Sequence, residues 1–276
     1  MLRIHIPMRL AVPAVLACLF LIGRVAAQEE APRPNTPENA CAPHELTTVA
    51  DTTVFTVPGD AVLYEAGMAI DADGAPNAYH PNDDDGLDDL ANAGEPGHWW
   101  AIATDENGEP LVQGPDDPAP GFYVSMTALW DRTKGPRDPH RYVDATVIPY
   151  VSIPSGLPQV RVGDFAVVRN GHTSQMAYAI VADVGPREKI GEGSIALAQA
   201  LGIRSSARRG GARDGIEYLI FSNSGDRRPH SLDEINSAAH DQFESWGGAA
   251  RLTACQEQLQ QRWQASPGQD AHSTSN

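Results

Sequence analysis

Between Asp51 and Phe221 every apolar run but one is broken by Gly, Pro or Asp before it reaches the length of an ordinary helix. Short runs punctuated in this way are strands. They are expected at Thr53–Val57, Val62–Glu65, Gly67–Ile70, Trp99–Thr104, Val147–Ile153, Phe165–Arg169, Met176–Ala182 and Ile216–Phe221. The exception is a helix: Ser194 caps it, Ile195, Leu197, Ala198 and Leu201 form its apolar face, and Gly202 stops it. Two further helices follow, Ser231–Trp246 and Gly248–Trp263, the first opened by a Ser231/Glu234 capping box. Phe122–Trp130 fits strand and helix equally. The chain is therefore mainly β, with one short internal helix and a C-terminal helical extension.

The ends read differently. Arg3 and Arg9 precede an uncharged, mostly apolar run from Leu10 to Gly23, and Val25-Ala26-Ala27 follows. This is the pattern of a cleavable export signal over residues 1–27. The run is shorter than the ~20 residues a membrane span needs. The processed chain is thus expected to be secreted, extracellular or periplasmic, with no membrane association. Residues 28–50, rich in Pro, Glu, Asn and Ala, read as a flexible arm, and 265–276 as a disordered tail. Residues 51–225 form the expected catalytic domain and 226–264 the helical extension. Signal removal leaves Cys41 and Cys255, which an oxidising compartment favours as a disulfide over two free thiols. Two cysteines are too few for a dedicated zinc site, and the nine histidines show no ligand spacing.

Charge narrows the partners. The chain has 36 Asp+Glu against 20 Lys+Arg, a formal −16. Nucleic acid is a poor fit, because its binding relies on cationic side chains displacing counterions from phosphates. An acidic surface suits a cationic ligand, or simply keeps an exported monomer soluble. The sequence has no Gly-x-Ser-x-Gly elbow, phosphate loop or dinucleotide fingerprint.

Chemistry concentrates between Phe165 and Ile203. Two strands joined by Asn170-Gly171-His172-Thr173 lead to Asp183, then to a Gly185-Pro186 loop and to Glu192 just before the Ser194-capped helix. Carboxylates nine residues apart cannot share a face of one regular element, but a strand-loop-helix connection can fold both over one cleft. Burial after Ala179-Ile180-Val181-Ala182 would raise the pKa of Asp183, whereas a helix N-terminus favours ionised Glu192. One proton donor and one acceptor are what glycosidic cleavage needs. Each residue also has an ordinary role, Asp183 as a turn residue and Glu192 as a complement to the helix dipole.

The stretch 179–203, AIVADVGPREKIGEGSIALAQALGI, resembles the signature region of glycoside hydrolase family 75, the fungal-type chitosanases. Two upstream blocks agree: Val62–Gly74, with Asp71-Ala72-Asp73-Gly74, and Tyr142–Pro154, with Pro149-Tyr150. The likeness spans roughly residues 60 to 222, with Gly67 where fungal members are expected to carry a polar or basic residue and Ala69 where they carry Asp. The resemblance implies that Asp183 and Glu192 are the catalytic pair and that the reaction inverts the anomeric carbon. The same segment is similar to double-psi β-barrels, including peptidoglycan lytic enzymes, which implies a six-stranded double-psi-like barrel with the acid at its rim.

The expected function is a secreted endo-chitosanase cutting β-1,4-glucosaminide bonds, with Asp183 as general acid, Glu192 as general base, and no metal or organic cofactor. The rivals are a peptidoglycan-acting barrel enzyme and an inactive acidic carbohydrate- or calcium-binding module. Asp71, Asp73, Asp83, Asp84, Asp85, Asp88 and Asp89 form an acidic belt that suits the ammonium groups of chitosan, a solvated surface, or calcium. Tyr64, Trp99, Trp100 and Tyr150 are candidate sugar-stacking aromatics. Strand alternation turns one of Trp99 and Trp100 outward, and Trp100 is taken as the substrate contact. Asp144 and Asp131 are further candidate subsite acids.

Overall fold

The computed structural model describes residues 41–265; the export signal, most of the arm and all but the first residue of the expected tail lie outside the described residues. The strands are β1 His44–Val49, β2 Thr52–Val57, β3 Ala61–Asp71, β4 Gly94–Glu95, β5 His98–Trp99, β6 Tyr150–Pro154, β7 Phe165–Asn170, β8 Met176–Gly185, β9 Glu192–Ser194 and β10 Ala212–Phe221. The helices are α1 Leu90–Ala93, α2 Ile195–Ala200, α3 Leu232–Trp246 and α4 Gly248–Ala265.

Six strands close a barrel in the order β3-β10-β7-β8-β6-β9, because β9 pairs with β3 as well as with β6. The expected six-stranded barrel is present, and closure removes free edges from its strands. β1 and β2 continue the sheet beyond β3 as an antiparallel ladder.

Alternation along the strands sorts the core into two layers. Val62, Tyr64 and Met68 of β3 point into the barrel with Tyr218 and Leu197, and the Tyr64 and Tyr218 rings stack at 4.7 Å. Leu63 points outward with Phe55, Val167 and Leu219, where Phe243 and Trp246 of α3 and Leu252 and Leu259 of α4 cover them. The C-terminal helices are thus packed onto the barrel. The Ser231/Glu234 capping box opens α3 as expected, and a disulfide joins Cys41 to Cys255 of α4. Among the described residues no helix is long and apolar enough to cross a membrane.

Several local expectations need correction. The arm assigned to 28–50 contains β1, held by its ladder to β2 with Val49 buried. The two strands expected at Val62–Glu65 and Gly67–Ile70 are one, because Gly67 continues β3 where β10 bulges against it. A Cβ on Gly67 would lie 2.6 Å from the Arg213 carbonyl oxygen, so only glycine passes without a shift. Val147–Ile153 begins as a turn, with the Val147 and Ile148 amides on the Asp144 carbonyl, and becomes strand only at Tyr150. Trp99–Thr104 shortens to β5 plus isolated bridges, and Phe122–Trp130 is neither strand nor helix but an irregular run of such bridges.

Candidate active site

One residue of β6 organises the site. Ser152 pairs with Asp183 of β8 on one side and with Glu192 of β9 on the other. Residues opposite one another in a ladder project to the same face. Asp183 and Glu192 therefore project together, with Cα positions two strand spacings apart, about 9–10 Å. Simple alternation would not give this. The ladder pairs Val151 with Val181 but Ser152 with Asp183, so Ala182 is an extra residue, and this bulge turns Asp183 to the face that Ala182 would otherwise occupy. β3 pairs Ala69 with Glu192, and Asp71, two residues on, shares that face.

These residues open onto a cleft of about 630 Å³ lined by five acids, Asp71, Asp73, Asp88, Asp183 and Glu192, with Lys189 and Trp100. Carboxylate oxygens of Asp71, Asp73 and Asp183 lie within 4.8 Å of one another. Beyond β3 the chain turns sharply to bring Asp73 back over Asp71, and the Asp73 amide donates to Asp71 Oδ1 at 2.8 Å. Gly74 completes the turn at φ +78°, and a Cβ there would strike the Val143 carbonyl oxygen. Tyr79 Oη donates to Asp73 Oδ1 at 2.6 Å, and Tyr150 Oη donates to the Asp73 carbonyl at 3.0 Å.

Burial dominates the electrostatics. It pushes the Asp183 carboxyl up to about 6; the Ala128 amide, donating to Oδ1 at 2.7 Å, opposes the rise, and the Glu192 charge adds to it. Burial likewise raises Asp71, reinforced by Asp183 and Glu192, and it raises Asp73, reinforced by Asp71 and Asp183. Glu192 differs from these three, because Lys189 Nζ bonds its Oε1 at 2.5 Å. The oxygen-only cluster of Asp71, Asp73 and Asp183 suits a hard cation or an ammonium group. The site thus combines a carboxyl pushed up to about 6 with an ion-paired carboxylate on the same face of the sheet.

The structure separates the sequence candidates. Asp71, Asp73, Asp183, Glu192 and Trp100 line the cleft. Trp100 is 57% exposed and Trp99 packs inward beside Tyr123, as alternation requires. Tyr64 is a correction: it is buried in the barrel against Tyr218, because an even position of β3 faces the interior. Tyr150 is buried beneath the acids and holds the Asp73 backbone, so it is not a stacking surface. Asp144 lies outside the cleft lining and caps its own turn through Thr146, and Asp131 does the same through Thr133. Of the acidic belt beyond Asp73, Asp88 alone lines the cleft; Asp83 and Asp89 are bonded to Arg208.

Sequence reasoning missed three contributors. Ala128 acts through its backbone amide, which no side-chain pattern marks. Lys189 and Arg208 carry visible charges, but their partners are set by loop paths.

No curated protein matches the chain. A family profile described as fungal chitosanase of glycosyl hydrolase group 75 matches residues 68–250, a range that holds every acid of the cleft and continues through α3. With over half of its length so matched, the chain belongs to this family of chitosanase glycoside hydrolases.

Proposed function

We propose that the protein is a secreted endo-chitosanase that hydrolyses β-1,4 bonds between glucosamine units of partly deacetylated chitin with inversion. The observation that carries this reading is the pairing of Asp183 and Glu192 with one residue, Ser152. Side chains rising from strands two spacings apart are compatible with the ~6.5–9.5 Å that an inverting pair needs to admit a water. Asp183, protonated below about pH 6, gives its proton to the departing glycosidic oxygen. Glu192 takes a proton from water as that water attacks the anomeric carbon from the opposite face. Asp71 and Asp73 take the ammonium of a bound glucosamine, where a cation offsets the mutual repulsion of buried carboxyls. Trp100 offers an apolar face to a sugar ring.

The test is chitosan hydrolysis by the purified chain, followed by viscosity, reducing ends and the NMR anomer ratio of fresh product. The expected result is a fall in viscosity ahead of reducing ends, α-anomers first, and no turnover in folded Asp183→Asn and Glu192→Gln variants. Initial β-anomers would overturn inversion. Cleavage of peptidoglycan that depends on Asp183 alone would replace chitosan as substrate, and ligand binding without turnover in the wild type would make this a binding module.

A further inference from the structure

We propose that a second cavity, of about 340 Å³, is an oxyanion-binding site for a phosphate- or sulfate-type group, free or as the monoester of a small sugar. It shares no lining residue with the acidic cleft. Arg132, Arg161 and Arg227 converge on it, and the rest of its lining, including Leu129, Trp130 and Val162, is uncharged. In a chain where acids outnumber bases 36 to 20, a cavity bordered by three cations and no acid is a marked local inversion of charge.

Two of the three guanidinium groups have no carboxylate partner among the described residues, although Arg132 lies over the Trp130 ring. Among the described residues Arg132 and Arg227 form no ion pair. Arg161 is ion-paired with Asp164 at 3.7 Å, but its Nε is buried without a hydrogen-bond acceptor. Arg132 and Arg227 thus line the cavity with no carboxylate partner of their own among the described residues, a charge that an entering anion would offset.

The backbone is also committed to this arrangement. Arg227 has φ +63°, in the left-handed region that favours glycine. Its Cα packs so closely on Gly163 that a Cβ there would fall 2.7 Å away, which fixes Arg227 beside the Arg161 loop. A strained non-glycine residue held in place by a tight contact points to a functional constraint. Planar guanidinium forks match oxyanions through paired, charge-assisted hydrogen bonds. The volume and the apolar wall of Trp130, Leu129 and Val162 leave room for a small organic body behind the anionic head.

Thermal unfolding of the full chain in sodium phosphate, against sodium chloride of equal ionic strength, tests the site. Phosphate at ten times its Kd is expected to raise Tm by about 3–6 °C. Arg227→Gly, which suits the left-handed backbone, and Arg132→Gln should each remove that response while leaving chitosan turnover in chloride unchanged. Glucose 6-phosphate is the second probe: a response at lower concentration than phosphate assigns the site to a sugar monoester, and an equal or weaker one assigns it to the free ion. No shift beyond that of chloride, or a shift undiminished in both variants, overturns the proposal. Should Arg132→Gln not fold, Arg227→Gly alone decides.

Discussion

Lys189 Nζ lies 2.5 Å from Glu192 Oε1, and Lys189 is the only cation among the described residues that line the acidic cleft. Burial works against its charge, but the neighbouring Glu192, with Asp71 and Asp88 farther off, more than compensates and raises its pKa. The ammonium therefore persists at neutral pH and holds one oxygen of Glu192, leaving the other for water. Loss of a charge-assisted bond of about 1.5 kcal/mol predicts that Lys189→Met lowers kcat roughly tenfold. Lys189→Arg should restore the rate, because it keeps a cation beside Glu192. An equal loss of kcat in both variants would leave Lys189 a packing role only.

Asp183 supplies a pH dependence. In the proposed role of general acid it works while protonated, so with its carboxyl held at about 6 the rate should fall as pH rises through that value. Stability follows the same carboxyl. Its native pKa is raised above the ordinary 3.8, so its contribution to stability is full below about pH 4 and is lost as pH rises through about 6. Asp183→Asn carries no charge and still offers Oδ1 to the Ala128 amide. It should be inactive yet more stable than the wild type above pH 6, by on the order of 2 kcal/mol, with the gap closing below pH 4. Urea unfolding at pH 4 and pH 8 measures the difference; an equal gap at both pH values would refute the assignment.

Arg208 holds one wall of the cleft. Its guanidinium donates to the carbonyl oxygens of Asp83, Gly86 and Asp88 and to the carboxylates of Asp83 and Asp89. That loop carries Asp88 and leads to Asn92, whose carbonyl accepts from Trp100 Nε1 at 2.7 Å. Arg208→Ala frees the wall without touching Asp183 or Glu192. KM for chitosan is expected to rise about fivefold, equivalent to about 1 kcal/mol, with kcat within twofold of the wild type. Steady-state kinetics on chitosan of fixed acetylation checks the split, and a fall confined to kcat would contradict it.

The barrel strands were legible because period-2 burial and Gly/Pro punctuation are local signals, as Phe165–Asn170 and the Ser194-capped helix show. The location of Asp183 and Glu192 was legible through motif resemblance; their shared face was not. It depends on the bulge at Ala182, which defeats alternation counting because the extra residue exists only relative to the partner strand β6. The same limit explains Tyr64 and Tyr150. Aromatic character marks both sugar platforms and core residues, and only closure of the barrel decides which side each ring takes. β1 escaped notice because its His44-Glu45-Leu46-Thr47 start is polar enough for an arm, and its order comes from pairing with β2.

Gly67 offers a test of a steric constraint on β3. The bulge in β10 between Ala212 and Ile216 brings the Ala212 and Arg213 carbonyl oxygens to 2.7 and 2.6 Å from where a Cβ would sit. No side chain fits at this position unless β10 shifts. Gly67→Ser should therefore destabilise the chain by about 1–3 kcal/mol, the range for overpacking a tight site. Because Asp71 lies four residues farther along the same strand, displacement of β3 should also lower kcat. A Gly67→Ser variant with wild-type Tm and kcat would mean that β10 relaxes freely and that the bulge does not dictate the glycine.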